Sequence, residues 1–407
     1  MTDRPTDLIY DWNQTGDFPK PPRKVLVTDE TLRDGLQSPS AINPTVSQKI
    51  ELVDLMCELG ISKTDVGLTG ASAHQKEHVY EIYKHVLNTG NRIKISSAGR
   101  TVIQDIEGMV DIGQKLGHPL EADLFLGCSP IRQYAEGWDL EKLLKVAREA
   151  IEFAHKNKMT VMFVTEDTTR GKPSDIEALY SQAIDLGVSA ICLSDTVGHA
   201  TPHGAQQLVR FCRTIAEKRG RPDVIIDWHG HNDRGLAIAN CLAALTAGAD
   251  RVHGTALGIG ERVGNAMTDQ LLVNLKLLGW IDGNHKRLRE FCEKAAKYCG
   301  VQIPYNYPVM GRDAFETGTG VHAAAVIKAM KKGDTWLADR VYSSVPASDY
   351  GAAQKIRIGP MSGRSNIVWW LESNGHEATD ERVVKIFEAV KKTHRLLEDR
   401  EIEALIG

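Results

Sequence analysis

The 407-residue chain has no long apolar run, no excess of basic charge and no paired-cysteine motif, and each absence removes a class of function. Lys and Arg number 49 against 53 Asp and Glu, a formal charge of −4, so the chain lacks the basic surface that nucleic acid or an anionic membrane would require. Its apolar stretches fall far short of the ~20 residues that span a bilayer. The opening MTDRPTDLIYDWNQ lacks the basic-then-apolar layout of a signal peptide, and a soluble cytoplasmic protein is the expectation. Cys57, Cys128, Cys192, Cys212, Cys241, Cys292 and Cys299 are scattered without a CxxC pair. They read as reduced, mostly buried small hydrophobes rather than as a disulfide or zinc framework. No GxGxxG follows the first strand-like run, which argues against a doubly wound dinucleotide-binding sheet.

What is present is a regular alternation. A hydrophobic content of 42% over this length is enough for one large domain and a smaller one. Short β-branched runs at 24–28, 63–68, 92–97, 122–126, 160–165, 190–194, 224–228 and 251–255 alternate with helical periodicity, as at 46–59, 140–155, 175–186 and 236–247. Eight strand–helix units in about 260 residues predict a (β/α)8 TIM barrel, an α/β fold. We expect an extension over 1–22, the barrel over 23–280 and a mostly helical C-terminal region over 281–407, with helices at 285–299, 322–331 and 380–397.

The polar residues cluster at the ends of these runs. Arg33, Asp34 and Gln37 follow the first strand in TLRDGLQ, Glu166 and Asp167 the fifth, Asp195 and Thr196 the sixth, His229 and His231 the seventh in HGHNDRG, and Glu261, Arg262 and Asn265 the eighth. Carboxyl ends of barrel strands share one face, so residues far apart in sequence converge there. Residues i and i+2 lie on one side of an extended chain, so His229 and His231 can aim two imidazoles at one ion. With a carboxylate they suit a divalent metal of the Zn, Mn, Mg or Co kind, which could chelate a 2-oxo acid and polarise its carbonyl. Arg33 beside it would stabilise the developing oxyanion, and Thr196 could hold the substrate carboxylate. Taken singly, each group has a plainer role: HxH as loop histidines, Arg33–Asp34 as an ion pair, Asp195–Thr196 as a helix cap and Glu166–Asp167 as a solvated pair.

TLRDGLQ, SDTVGHATP, the block from DWHGHNDRG to GERVGNA, and ETGTGVHAAAVIKA resemble the signature segments of the DRE-TIM metallolyase superfamily. More narrowly they resemble its Claisen-condensing branch, the 2-isopropylmalate, homocitrate and citramalate synthases. The resemblance implies an acyltransferase that converts acyl groups into alkyl on transfer. Acetyl-CoA is enolised, its methyl carbon attacks the ketone of a 2-oxo acid, and hydrolysis releases CoA. It further implies that Asp34, His229, His231 and Asn265 are metal ligands, Arg33 polarises the carbonyl, and Gln37 and Thr196 contact substrate. Glu166 becomes part of the catalytic machinery. His322 becomes a base for acetyl-CoA, contributed by the appended region across a homodimer, with Tyr342 beside it.

Departures from the family narrow the substrate. Asp123 stands where isopropylmalate synthases tend to have a histidine, as in homocitrate synthases. Met162 replaces the arginine that homocitrate synthases place four residues before the glutamate of strand 5, which leaves a distal carboxylate unpaired and favours an apolar monocarboxylic oxo acid. Arg100 and Arg132 remain as replacement cations. The last helix runs into EDREIEALIG, where the given sequence stops, so the leucine-binding regulatory domain of some relatives is not expected. A metal-dependent lyase of the HMG-CoA lyase type is the alternative class. Such lyases carry a cysteine in the loop after strand 8, where this chain reads GIGERVGNA.

Overall fold

The computed structural model describes residues 8–406. Of the extension expected over 1–22, residues 1–7 lie outside this range. The remainder carries one short turn, Trp12–Gln14, capped by Asp11. The chain divides into two compact units. The first runs through Gln37 and continues over Ser62–Gly90 and Lys94–Met267, and the second comprises Ser38–Ile61, Asn91–Ile93 and the chain from Thr268 onward.

Eight strands of the first unit form a closed parallel barrel, the (β/α)8 fold expected from the spacing. They are β1 (Leu26–Asp29), β2 (Lys63–Leu68), β3 (Lys94–Arg100), β4 (Glu121–Gly127), β5 (Val161–Glu166), β6 (Ala190–Asp195), β7 (Ile225–Gly230) and β8 (Arg251–Gly254). Closure is made by β8 against β1, from Leu26 opposite Arg251 to Asp29 opposite Gly254. Among the described residues no helix is long and apolar enough to cross a membrane. Six of the seven cysteines are buried, Cys57 only partly.

Charge, rather than branched aliphatic side chains, fills one layer of the barrel. Lys63 on β2 is fully buried, with its Nζ 2.6 Å from Glu121 Oε1 and 2.7 Å from Asp123 Oδ1. Arg251 on β8 pairs with Asp227 on β7 at 2.7 Å. Met162 on β5 lies between the two cations, its sulfur 3.8 Å from Lys63 Nζ and 3.9 Å from Arg251 Nη2. Burial alone would favour neutral Lys63, but Asp123 and Glu121 outweigh it and raise the ammonium above its ordinary range.

The second unit holds the helices Val46–Glu58, Thr268–Leu277, Leu288–Cys299, Gly320–Lys331, Thr335–Arg340, Arg364–Ser373, Asp380–Val390 and Asp399–Ile406. A two-residue parallel pair, Glu316–Thr317 with Lys355–Ile356, interrupts them. The periodicity over 380–397 predicts one helix, yet it ends at Val390. Thr393 Oγ1 donates to the Val390 carbonyl, and Leu397 turns inward, its N–H bonding the Ile358 carbonyl at 2.8 Å. Burial of Leu397 among Ile358, Ile367, Leu371, Val383 and Ile386 outweighs further helix.

Replacing Lys63 by Met keeps the apolar stem and leaves buried Asp123 and partly buried Glu121 without their cation. The expected loss is about 3–5 kcal/mol of unfolding free energy, read as a lower midpoint in denaturant and heat. A midpoint equal to wild type would show that the ammonium gives no net stabilisation.

Candidate active site and metal centre

The site is built where β1, β7 and β8 end. After β1 the backbone turns tightly, with the N–H groups of Arg33 and Gly35 both bonding the Glu30 carbonyl, and this delivers Glu30, Arg33 and Asp34 to one side. His229 is in β7 and His231 follows it. The loop after β8 folds back as an isolated antiparallel bridge between His231 and Asn265. Asn232 N–H bonds Gly264 O at 2.9 Å and Ala266 N–H bonds Gly230 O at 3.0 Å. This return is possible because Gly264 has no side chain. Its φ is +87°, and a Cβ there would stand 1.7 Å from the Gly258 carbonyl oxygen.

Asp34 Oδ2 lies 3.3 Å from His229 Nε2 and 3.4 Å from His231 Nε2. All three residues are buried, and their ligand atoms fall within 4.8 Å of one another. Asn265 closes the group, donating Nδ2–H to Asp34 Oδ2 at 2.7 Å, while its buried Oδ1 has no hydrogen-bond partner. Half a turn of the amide exchanges the two atoms and aims the free oxygen at the same centre. One carboxylate, two imidazoles and an amide oxygen make a mixed oxygen and nitrogen donor set, which fits a divalent cation. Burial opposes ionisation of Asp34, but Arg33 and the two imidazoles outweigh it and hold the carboxyl well below its usual range.

Four residues that the sequence reading did not single out, Glu30, His253, Asp227 and Asp65, brace this centre. Glu30 Oε2 lies 2.8 Å from His229 Nδ1 and 2.8 Å from Arg33 Nη2. A proton on Nδ1 facing that carboxylate leaves the Nε2 lone pair free for a metal. The other Glu30 oxygen meets His253 Nδ1 at 2.8 Å, and His253 Nε2 meets Asp227 at 2.9 Å. Burial disfavours charge on His253, yet Glu30 and Asp227 raise it to about 9, making it a buried cation at neutral pH. Asp65 holds Arg33 from the far side, Nε to Oδ2 at 2.9 Å. Arg33 and Asp34 are therefore not simply each other's ion pair, since they stand 3.7 Å apart and the guanidinium rests on Glu30 and Asp65.

A cavity of about 150 Å³ opens onto the group. Arg33, Asp34, Gln37, Glu166, Thr196, His229 and His231 all line it. Thr196 Oγ1 accepts the Asp167 N–H at 2.8 Å, which leaves the hydroxyl proton for a guest. Burial raises the Glu166 carboxyl above its ordinary range against the pull of Arg132 and Arg33. Asp167 and Asp195 serve the loops instead. The Asp167 carboxylate clamps Arg170, and that of Asp195 takes the Thr169 hydroxyl and the His199 and Ala200 N–H groups. His322 and Tyr342 belong to the second unit, where their rings stack with centroids 4.3 Å apart, and they are not among the residues lining this cavity.

A closed (β/α)8 barrel with such a centre at the carboxyl ends of its strands defines a TIM-barrel enzyme suited to a divalent metal. The chain belongs to the HMGL-like family, whose model matches residues 24–294. It is 34% identical to a probable 2-isopropylmalate synthase of Methanopyrus kandleri over 91% of this chain and 70% of that protein. It is 31% identical to homocitrate synthase AksA of the same organism, over 91% of this chain and 88% of the relative. Among solved structures, the HMG-CoA lyase of Bacillus subtilis superposes with a TM-score of 0.56 at 21% identity, covering 70% of this chain and 97% of that one. This last likeness is one of fold.

Two substitutions probe the centre. His231→Ala should lose the bound divalent ion, measured as metal content after dialysis, and full occupancy would remove His231 from the ligand set. Glu30→Gln should weaken metal binding by about ten- to a hundredfold while keeping every ligand, measured by competition with a chelating dye.

Proposed function

We propose that the protein is an acyl-CoA-dependent 2-alkylmalate synthase of the 2-isopropylmalate synthase kind, joining acetyl-CoA to an apolar monocarboxylic 2-oxo acid with release of CoA. The observation that carries the substrate class is the wall of the cavity. Among the described residues that line it, Arg33 is the one guanidinium and there is no lysine, and Leu68, Ala98, Phe125, Met162 and Val164 form its apolar side. A second carboxylate, as in 2-oxoglutarate, would be desolvated against these groups and the carboxylates of Asp65 and Asp123. Asp123, as in homocitrate synthases, and Lys63 beneath Met162 favour 2-oxoglutarate, but Glu121 and Asp123 already take the charge of Lys63. Arg100 and Arg132 do not line this cavity.

A divalent ion on Asp34, His229, His231 and Asn265 would act as a Lewis acid toward the ketone of a chelated oxo acid. Arg33, held in place by Glu30 and Asp65, stabilises the charge that develops on the ketone oxygen. Thr196 donates its hydroxyl to the oxo-acid carboxylate, and Gln37 closes the rim. His322, stacked on Tyr342, removes a proton from the acetyl methyl, and in this reading it is delivered by the second copy of a homodimer. The resulting enolate carbon bonds to the ketone carbon as the C=O π bond breaks, and the ketone oxygen stays on that carbon and takes up a proton to become the tertiary alcohol. Glu166, its carboxyl raised by burial, holds and returns protons while water cleaves the thioester and frees the thiol.

A lyase of the HMG-CoA type is disfavoured by the absence of a thiol in the loop after β8. Cys192 does line the cavity, but burial holds it well above the usual thiol range, in its neutral form.

Metal-loaded enzyme with acetyl-CoA and a panel of pyruvate, 2-oxoisovalerate, 2-oxoglutarate and phenylpyruvate should release thiol fastest with an apolar monocarboxylate. Cleavage of a hydroxyacyl-CoA with no thiol from any oxo acid would sink the synthase reading. Arg33→Ala should lower turnover by about a hundred- to a thousandfold with metal still bound.

A further inference from the structure

Arg262, in the loop after β8, is not among the residues lining the cavity, yet its side chain reaches one that is. Its Nη2 donates to the Thr196 carbonyl at 2.7 Å. The same guanidinium grips Asp233, with Nε 2.8 Å from Oδ1 and Nη2 2.9 Å from Oδ2. Thr196, Asp233 and Arg262 stand in the loops after β6, β7 and β8, so one side chain clasps three loops of the rim. Both ends of the clasp are closely fitted. Arg262 holds a φ of +55°, a left-handed conformation that a Cβ disfavours. Gly198, two residues after Thr196, lies so near Asp233 that a Cβ on it would stand 2.7 Å from the Asp233 backbone nitrogen.

The clasped loops differ in how far they depend on it. Asn265 is tied by backbone: its N–H bonds the Gly258 carbonyl at 3.1 Å, and its neighbours Gly264 and Ala266 are bonded to Asn232 and Gly230. Thr196 lies beyond the end of β6, and the bonds that hold it come from Arg262 on its carbonyl and from the Asp167 N–H on its hydroxyl oxygen. Without the guanidinium the Thr196 peptide is free to turn, and its hydroxyl leaves the line along which it donates.

We infer that Arg262 is a positioning residue for the oxo acid: through the Thr196 peptide it aims the Thr196 hydroxyl at the substrate carboxylate, with Asp233 as its anchor. The inference rests on the synthase reading above, which gives Thr196 that contact. Arginine fits the task because its planar fork holds two carboxylate oxygens and a carbonyl at once, whereas lysine presents a single point of attachment. The Arg262 side chain is 39% exposed and stands apart from the buried charges around Glu30, so its removal leaves the barrel interior intact.

Arg262→Gly tests this, since it removes the guanidinium and suits the left-handed backbone, so the loop keeps its course. In this variant KM for the oxo acid should rise about tenfold, with KM for acetyl-CoA and the content of divalent ion unchanged. Asp233→Asn, which loosens the anchor but keeps the carbonyl contact, should raise the same KM by less, and Arg262→Lys should recover part of what glycine loses. The decisive comparison is a cycle with Thr196→Val. In that background Arg262→Gly should change the oxo-acid KM no further, because the hydroxyl it aims is gone. An unchanged oxo-acid KM in folded Arg262→Gly, an equal rise in the acetyl-CoA KM, loss of metal, or full additivity with Thr196→Val would overturn the inference. Should wild type release thiol with no oxo acid, the synthase reading falls first. Calorimetry of the metal-loaded protein with 2-oxoisovalerate then decides the clasp: binding weakened by Arg262→Gly sustains it, and no binding by wild type ends it.

Discussion

The contact on which the site depends is a carboxylate shared by three partners, Arg33, His229 and His253. Glu30 faces both Arg33 and His229 at 2.8 Å, so one buried group sets the orientation of the guanidinium and of an imidazole. Burial works against its charge, yet Arg33, His229 and His253 together hold it well below the usual carboxylate range. Without an anion there, Arg33 would lose one of its two close supports and His229 the partner that decides which nitrogen is free. The positions of both side chains are thus set by one buried carboxylate before any guest arrives.

Around it, charges of opposite sign alternate through the barrel. Arg251, Asp227, His253, Glu30 and Arg33 follow one another at contacts of 2.7 to 2.9 Å, and Asp65 ends the line. Each group is affordable in the interior because its neighbours carry the other sign. Asp34 stands beside this line with imidazoles on one side, and a divalent cation there would complete the alternation.

The fold was legible because two periodicities alternate eight times, and all eight strands fall where the spacing placed them to within a few residues. Arg33, Asp34, Gln37, Glu166, Thr196, His229 and His231 were legible because strand ends share a face whatever their distance in sequence. Glu30 and His253 escaped notice for a different reason. Both are polar residues of the strands and their immediate ends, where sequence alone gives no sign of whether a side chain faces the barrel axis or the helices. Parity would have helped, since His253 stands two residues from Arg251 on β8 and both turn to Asp227. The break after Val390 was invisible to periodicity, because the pull on Leu397 comes from Ile358, Ile367 and Leu371, residues distant in sequence.

The loop that returns after β8 also makes the barrel mouth lopsided. On the arc from β6 to β8, Arg262 ties Asp233 and the Thr196 carbonyl together, and Gly264 presses against Gly258 with no space for even a methyl group. The opposite arc, from β2 to β5, presents Leu68, Ala98, Phe125 and Met162, whose exchange for other apolar side chains would disturb no candidate metal ligand and none of these ties. The candidate metal-binding group and the apolar wall therefore occupy separate arcs of the rim. A lineage built on this scaffold can drift from one oxo acid to another by repainting one side while the other stays frozen.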